Sequence, residues 1–350
     1  MKRIAFYFAC FVFAILYGNT VFPKVITVNN NPNSPGQYTK LTDAVSVAND
    51  GDTLLIAGSN DDYESITLSK RLTLIGTGYY PRKDVLLVSR IGYITLGAGS
   101  ANNSVLIGLY VNGNISGSGS NLSGIEIRRC YVTSTINFQN ANNIVITNCY
   151  INSYVYLYTC NNVLIQNNII ENGYLYVPGP GNPSTNVLVK NNLFLANYMG
   201  SNVYGVQFSN NICYYRGTSS NTTTLCNNCS NVVFNNNIYF NQVANPLPIG
   251  TDNNTGSGNQ NTNPQFTKIT LNSQTFNVIV FDDFRLKAGS PAINYGTDGK
   301  DVGIYGGSAP MDYPLSGEPP IPQVKSMTIN NNVLPPGGSL NVTIKARKAN

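Results

Sequence analysis

The stretch Ile144–Asn192 reads IVITNCYINSYVYLYTCNNVLIQNNIIENGYLYVPGPGNPSTNVLVKNN and contains one short phrase three times. Each phrase alternates apolar with other residues, reaches Asn-Asn or a near equivalent, and ends on another apolar residue. Seven such phrases begin at Val105, Ile125, Ile144, Val163, Val187, Val206 and Val232. Successive starts lie 20, 19, 19, 24, 19 and 26 residues apart. This period predicts a solenoid, in which each repeat buries its apolar face against its neighbours.

The composition of each phrase indicates which kind of solenoid to expect. Two-residue alternation and β-branched side chains predict strands rather than helices. A polar doublet occupies the fifth and sixth positions from the second phrase onwards: Arg129-Cys130, Asn148-Cys149, Asn167-Asn168, Asn191-Asn192, Asn210-Asn211 and Asn236-Asn237. Asn accepts the left-handed backbone of a sharp turn, and stacked Asn amides can hydrogen-bond from one coil to the next. The doublets therefore predict an asparagine ladder at a corner.

A second row of strands precedes several of the phrases. Ile136–Phe138, Val155–Leu157 and Leu175–Val177 alternate in the same way, and their starts lie 19 and 20 residues apart. Two rows that both advance by one coil length are what a parallel β-helix requires, with coils about 4.8 Å apart. The sequence thus predicts an all-β fold whose interior is filled by aliphatic side chains and Phe.

Both ends of the repeat array carry further signals. Leu41, Ala44, Val45 and Ala48 lie on one face of a short predicted helix that ends in the run Asn49–Asp52. The strands predicted next are Thr53–Ile56, Ser65–Leu68 and Leu72–Ile75. Near the other end, the segment Phe281–Gly307 contains FRLKAGSPAINYG followed by an Asp-x-Gly turn.

These repeats and ends resemble the right-handed parallel β-helix, or pectin-lyase-like, superfamily. The Phe281–Gly307 segment is similar to the closing segment of secreted bacterial β-helix proteins. The resemblance implies a right-handed solenoid whose amino end is covered by the helix, and it implies no particular chemistry. A cap of this kind removes an exposed sheet edge and a bare apolar end.

Four segments are expected along the chain. Residues 1–20 are predicted to be a signal peptide, because Lys2-Arg3 precede the apolar run Ile4–Leu16; an uncleaved membrane anchor is the alternative. Residues 21–312 form the β-helix with its N-terminal cap, 313–323 a Pro-rich linker, and 324–350 a C-terminal β extension with a small hairpin. We therefore expect a protein that is secreted or on the cell surface, with the periplasm as alternative. It is expected to be a monomer, with no membrane span in its mature form.

Composition narrows the class of partner. The 350 residues are 42% hydrophobic and only 11% charged, they include no Trp or His, and the net charge is +5. This weak positive excess contains no Lys/Arg cluster and so does not favour nucleic-acid binding. The polar surface must consist largely of Asn, Ser, Thr, Gly and Tyr.

The cysteines allow two arrangements at each of two places. Cys130 and Cys149 occupy equivalent positions in adjacent coils, within disulfide range, although two stacked inward thiols are equally compatible with the repeat. Cys226 and Cys229 have the C-x-x-C spacing, but a zinc site would need two more ligands and the chain has no His. A local disulfide or unpaired thiols are expected there.

Acidic residues are scarce where a catalytic site would be expected. Hydrolases of the resembled superfamily need a pair of carboxyl groups, and its lyases commonly use an acidic cluster with a Lys or Arg base. Between Val105 and Phe240 the only acids are Glu126 and Glu171, which the repeat places about two coils apart. Glu126 is instead expected to form an exposed ion pair with Arg128, and Arg216 is assigned to a loop. No catalytic residue is therefore predicted.

No cofactor or metal is predicted either, with calcium as the alternative at two places. Asp298 and Asp301 lie among glycines in one segment, and Asp61, Asp62 and Glu64 cluster in another. Both groups are also typical of ordinary turns and solvated loops.

The outward residues of two neighbouring coils are rich in tyrosine. If the aliphatic residues of the strands at Val155 and Leu175 face inward, the outward side chains are Tyr154, Tyr156, Tyr158, Tyr174 and Tyr176. Asn137 and Gln139 extend this face on the coil before. Aromatic rings flanked by amides can stack on sugar rings and hydrogen-bond their hydroxyl groups. The alternative is that these tyrosines stabilise an exposed strand by cross-strand stacking, or lie under the loop Pro178–Pro183.

The sequence thus predicts a carbohydrate-binding or structural module whose partner is extracellular polysaccharide or a cell-surface glycan, without catalysis of its own. A polysaccharide lyase or glycoside hydrolase is the first alternative. A passive surface spacer or adhesin is the second.

Overall fold

The computed structural model describes residues 22–79, 87–179, 181, 183–217, 224–241, 246–249, 252–270, 282–330 and 333–348. The predicted signal peptide, residues 1–20, lies outside the described residues. Within these ranges the regular structure is one α-helix, Leu41–Val47, and a series of strands. The strands stack in parallel and in register to form a β-solenoid, as predicted.

Most coils contribute to three rows of parallel strands. The first row comprises Val25–Val28, Thr53–Ile56, Thr73–Ile75, Val105–Ile107, Glu126–Arg128, the second half of Ile136–Thr147, Asn161–Gln166, Thr185–Lys190, Val206–Ser209 and Val233–Asn235. The second row comprises Arg90–Ile91, Tyr110–Val111, Tyr131–Val132, Tyr150–Ile151, Ile169–Ile170, Leu193–Phe194, Ile212–Tyr214, Ile238–Phe240 and Gln260–Asn261. The third row comprises Ile66–Leu68, Ile94–Leu96, Ile115–Ser123, the first half of Ile136–Thr147, Val155–Tyr158, Leu175–Val177, Gly200–Tyr204 and Cys226–Ser230. The sequence predicted the first and third rows, whereas the short second row was not recognised.

The interior of the solenoid is the hydrophobic core. Ile125, Ile144 and Val163 are at most 1% exposed, which confirms that the predicted inward positions fill the bore. In the later coils Phe194, Phe208 and Phe234 stack along the axis, with ring centroids 6.4 and 5.4 Å apart. The inward side chains of each coil pack against those of the neighbouring coils, so the core is continuous along the stack.

The first phrase differs from the others by one residue. Val105 pairs with Glu126 rather than with Ile125, so Val105 faces outward and Leu106 is the inward residue. The prediction that the first residue of this phrase, Val105, points inward is therefore wrong, because the position equivalent to Ile125 is occupied by the buried Ser104, which an apolar pattern does not reveal. A shift of one residue exchanges the two faces of a strand.

The asparagine doublets have two separate roles. The sixth position forms the predicted ladder inside the corner: Asn168, Asn192, Asn211, Asn237 and then Asn259 are linked by amide hydrogen bonds of 2.9–3.0 Å. The fifth position has a left-handed backbone, with φ between 51° and 57° at Asn148, Asn167, Asn191, Asn210 and Asn236, and its amide points away from the ladder. The ladder is therefore confirmed for the second residue of the four Asn-Asn doublets and not for the first, while the two earlier doublets have Cys130 and Cys149 at this position.

The fifth-position side chains bind the segment Asn294–Ile321, which we call the C-terminal strap. Asn236 donates to the carbonyl of Tyr295, Asn167 to those of Ile304 and Gly306, and Asn148 to that of Ala309, all at 2.8–2.9 Å. Further back, Arg129 forms an ion pair with Asp312 and donates to the carbonyl of Glu318. The strap thus runs from late coils to early coils across one corner of the stack.

The helix Leu41–Val47 packs against the first strands of the stack, as predicted. Its first backbone N–H donates to the Glu64 carboxylate at 3.1 Å, and the Lys70 ammonium donates to the carbonyls of Ser46 and Ala48 at 2.7 and 2.6 Å. An acid at the amino end and a base at the carboxyl end both complement the helix dipole. Glu64 therefore has a structural role within the cluster considered for calcium.

The described cysteines resolve the two open cases. Cys130 and Cys149 are buried free thiols, whereas Cys226 and Cys229 form a disulfide inside one strand of the third row.

The C-terminal extension is an antiparallel hairpin of Pro322–Ile329 and Val342–Lys348, and a second antiparallel pair joins Phe266–Lys268 to Asp283–Leu286. No helix among the described residues is long and apolar enough to cross a membrane.

Candidate functional site

The five predicted tyrosines lie together on the outer surface of the third row. In the strand Val155–Tyr158 the first and third residues are fully buried, so Tyr156 and Tyr158 project outward; Tyr176 does the same one coil later. Tyr156 and Tyr176 are direct partners in the parallel ladder. Two-residue alternation therefore places these side chains where the sequence predicted them.

Their rings form one continuous cluster. Tyr154 and Tyr174 have centroids 4.6 Å apart, Tyr156 and Tyr176 are 5.3 Å apart, and Tyr158 and Tyr176 are 5.7 Å apart. Tyr198 extends the cluster by one more coil, at 4.7 Å from Tyr174. We call Tyr154, Tyr156, Tyr158, Tyr174, Tyr176 and Tyr198 the tyrosine ridge.

Tyr198 was not predicted, although the sequence contains its signal. Tyr174 and Tyr198 are separated by 24 residues, which equals the separation of the phrases at Val163 and Val187. The residues around Tyr198 do not alternate as a strand, so its outward position was not evident from local pattern. Its repeat offset alone would have identified it.

A glycine brings two coils of the ridge close together. A Cβ atom on Gly173 would collide with the backbone carbonyl of Ser153, so only glycine allows the two backbones to approach this closely. Tyr154 and Tyr174 follow these two residues directly, and their rings are in contact as a result.

Two pockets flank the ridge. The pocket at one edge of the ridge has about 240 Å³ and is lined by Tyr154, Asn172, Gly173, Tyr174, Leu195, Ala196, Asn197 and Tyr198. The pocket at the other edge has about 200 Å³ and is lined by Tyr176, Pro178, Gly179, Asn202, Val203, Tyr204, Asn228 and Ser230. Each combines aromatic rings with side-chain amides.

The larger pocket, of about 450 Å³, lies near the amino end of the solenoid. It is lined by the first coils and by Pro319 and Ile321 of the strap, away from the tyrosine ridge. Its walls are mostly apolar, and none of the residues singled out from the sequence as a candidate binding residue lines it. We therefore do not include it in the candidate site.

Amides extend the ridge on the preceding coil. Asn137 is in register with Tyr156, and Gln139 is in register with Tyr158, which confirms the predicted extension. In the loop after the strand Leu175–Val177, Gly179 packs on the ring of Tyr204, and Pro178 and Gly179 line the pocket beside Tyr176. Tyr158 is 37% exposed, and the other ridge tyrosines are partly exposed.

Three hydroxyl groups of the ridge, those of Tyr156, Tyr158 and Tyr174, have a raised pKa. Partial burial, followed by the neighbouring tyrosines, raises the pKa of Tyr156 and of Tyr158. The same causes raise the pKa of Tyr174 to about 12. At neutral pH these phenols therefore act as hydrogen-bond donors and carry no charge.

Acidic residues lie elsewhere, in two different environments. Glu126 and Arg128 form the predicted surface ion pair, at 3.2 Å on the first row. Glu171 is only 1% exposed and forms an ion pair with Arg216, while Tyr150 donates its hydroxyl hydrogen to the other carboxylate oxygen. The assignment of Arg216 to a loop missed this buried pair, because the two residues are 45 positions apart and share no repeat pattern.

Asp282 adds a second carboxyl group to this buried region. It is 6% exposed and accepts hydrogen bonds of 2.7 Å from the backbone and the hydroxyl of Thr270. Burial raises the pKa of Glu171 and that of Asp282, and Arg216 opposes both shifts. Because all three charged side chains are at least nine-tenths buried, a substrate would reach them only if the covering residues moved.

The acids considered for calcium make ordinary local contacts. Asp298 accepts from the backbone of Lys300, and Asp301 accepts from the backbone of Asn294, at 3.2 and 3.0 Å. Asp62 pairs with Arg90 at 2.8 Å. Among the residues that the structure describes, no group of three or more acidic or cysteine side chains is arranged to hold a metal ion.

No protein-family model matches this chain, and a search of curated proteins returns no match either.

Proposed function

We propose that the protein is a non-catalytic module that binds extracellular polysaccharide or a cell-surface glycan through the tyrosine ridge. The observation that carries this proposal is the ridge itself, a cluster of six partly exposed aromatic rings on a rigid stack of strands. Aromatic side chains offer large contact areas at a low cost in conformational entropy, and their hydroxyl groups provide polar contacts at the edge. Sugar rings present both C–H faces and hydroxyl groups to such a surface.

The fold supports this role by holding the rings in place before any ligand binds. Tyr156 and Tyr176 lie on directly paired strands, and the buried residues beside them fix the outward direction of both side chains. A preorganised surface loses little freedom on binding, which favours affinity. Secretion, a position on the cell surface and membership of the pectin-lyase-like superfamily are parts of the same proposal, and they rest on the sequence resemblance.

Retention on immobilised polysaccharides tests the proposal. The variant carrying Tyr156→Ala and Tyr176→Ala should lose binding by at least about thirtyfold, because truncating one central aromatic contact typically costs about 2 kcal/mol. Tyr313→Ala is the matched control, since Tyr313 is 48% exposed and lies on the strap rather than in the ridge. Equal retention of the wild type and the double variant, with both folded, would remove the ridge from the account.

A second candidate function is supported by the buried acids. Glu171 and Asp282 flank one arginine, and carboxyl groups with raised pKa values are typical of glycoside hydrolases and related enzymes. New reducing ends, or unsaturated products that absorb in the ultraviolet, would demonstrate hydrolase or lyase activity on a polysaccharide panel. Loss of these products in Glu171→Gln would assign the activity to this cluster.

A further inference from the structure

The surroundings of the tyrosine ridge are almost free of charge. Between Cys130 and Tyr215 the chain contains only two charged residues, Glu171 and Lys190. Glu171 is buried in its ion pair with Arg216, and Lys190 lies on the first row, where it pairs with Gln166. The ridge lies on the third row, so neither charge is part of it.

The two pockets beside the ridge are uncharged as well. Their polar lining consists of tyrosine hydroxyls, serine and side-chain amides, the amides being those of Asn172, Asn197, Asn202 and Asn228. Such groups can donate to and accept from sugar hydroxyls without neutralising a charge.

This surface is poorly suited to an acidic polysaccharide. Carboxylate or sulfate groups are normally met by Arg, Lys or a bound cation, and none of the residues that line the two pockets is basic or acidic. The face of an aromatic ring also carries the negative part of its quadrupole, which disfavours an anion above it. A polycationic chain would be attracted to the ring faces, but no lining carboxylate would hold its ammonium groups.

We propose that the ridge recognises a neutral polysaccharide, one that bears neither carboxylate, sulfate nor ammonium groups. This inference rests on the proposed function of the ridge and narrows its ligand to one charge class. Recognition then depends on ring stacking and on hydrogen bonds between sugar hydroxyls and the phenols and amides. Binding should therefore be insensitive to salt, because no ion pair forms.

Affinity electrophoresis against soluble polysaccharides of three charge classes tests the inference. The probes are neutral glucans, mannans, xylans and galactans, a polyuronate with a sulfated glycan, and a polymer of unacetylated amino sugars. We expect retardation by a member of the neutral class, with a dissociation constant that changes less than about twofold between 0.1 and 1 M NaCl, where the Debye length falls from about 10 to about 3 Å. The double variant with Tyr156→Ala and Tyr176→Ala should lose this retardation.

The outcomes separate this inference from the proposed function. Binding confined to the acidic or to the cationic polymers, lost in the double variant, would overturn the inference and leave the ridge as a glycan site. Binding of a neutral chain that survives in the double variant would overturn both. No binding in any class would also overturn both.

Discussion

The interior asparagine ladder offers the sharpest test of how the coils are held together. Asn192 is the second of its five members and is fully buried, and its backbone does not adopt the left-handed conformation. Its amide nitrogen donates to the carbonyl of Ile165 at 2.9 Å and to the side chain of Asn211 at 3.0 Å. Its amide oxygen accepts from the backbone N–H of Asn168 at 2.9 Å. Every polar atom of the side chain is therefore engaged in the core.

Replacing Asn192 with Ala removes these partners without straining the backbone. The backbone N–H of Asn168 and the carbonyl of Ile165 are then left buried without the side chain that bonded them. An unpaired buried group costs about 1–3 kcal/mol, so the pair should lower the free energy of unfolding by about 2–6 kcal/mol. That is a large part of the stability of a typical domain.

Asn161→Ala is the matched control. Its amide also donates to an asparagine on the neighbouring coil, Asn142, at 3.0 Å, but Asn161 is partly exposed and water can replace the lost bond. We expect a loss of about 0.5–1.5 kcal/mol. Equilibrium unfolding in urea, followed by circular dichroism and tyrosine fluorescence, measures both variants. Equal losses for the two variants would refute the role given to the buried ladder.

Three further predictions concern pH, the strap and the ridge. The pKa of Glu171 is raised in the folded protein, so its contribution to the free energy of unfolding is complete below the ordinary pKa of 4.5 and is lost as the pH rises through the folded pKa. The variant Glu171→Gln should therefore show a smaller decline of the urea midpoint with rising pH across the acidic range. An unchanged decline would contradict this prediction. Asn167→Gly keeps the left-handed turn but removes two hydrogen bonds to the strap, so it should cost about 1–3 kcal/mol and speed proteolysis of the strap. The control Asn162→Gly also keeps a left-handed turn and removes only exposed amide bonds to Asn143 and Asn186, so it should cost less and leave proteolysis of the strap unchanged. Gly173→Ala should push two coils apart and weaken both polysaccharide retention and thermal stability. Gly181→Ala is the control, because a Cβ atom there meets open space. Equal behaviour of the two variants would show that the close approach of the backbones at Gly173 and Ser153 is unimportant.

The periodic part of the structure could be predicted from the sequence because each coil repeats one pattern. Alternation within Val155–Tyr158 was sufficient to place Tyr156 and Tyr158 on the outer face, and the doublets placed the corner. At Val105 the strand lies one position from the predicted register, because its first buried residue is the polar Ser104, which an apolar pattern does not reveal.

Contacts between distant parts of the chain could not be predicted in the same way. The strap binds Asn148, Asn167, Asn191 and Asn236 through its backbone carbonyls, so at these positions its own side chains carry little signal of where it lies. The pairing of Glu171 with Arg216, and the approach of Asp282, likewise depend on how the segments beyond the repeats fold back. Tyr198 falls between these cases, because its repeat offset was present but its local pattern was irregular.

Direct observation of the ridge during binding tests the central claim. The protein can be labelled with fluorotyrosine and titrated with a neutral polysaccharide fragment that retards it, and single Tyr→Phe variants assign the fluorine resonances. We predict that the resonances of Tyr156, Tyr158 and Tyr176 shift in a saturable manner, while that of the buried Tyr150 does not. Saturable binding that leaves the ridge resonances unchanged would contradict the account.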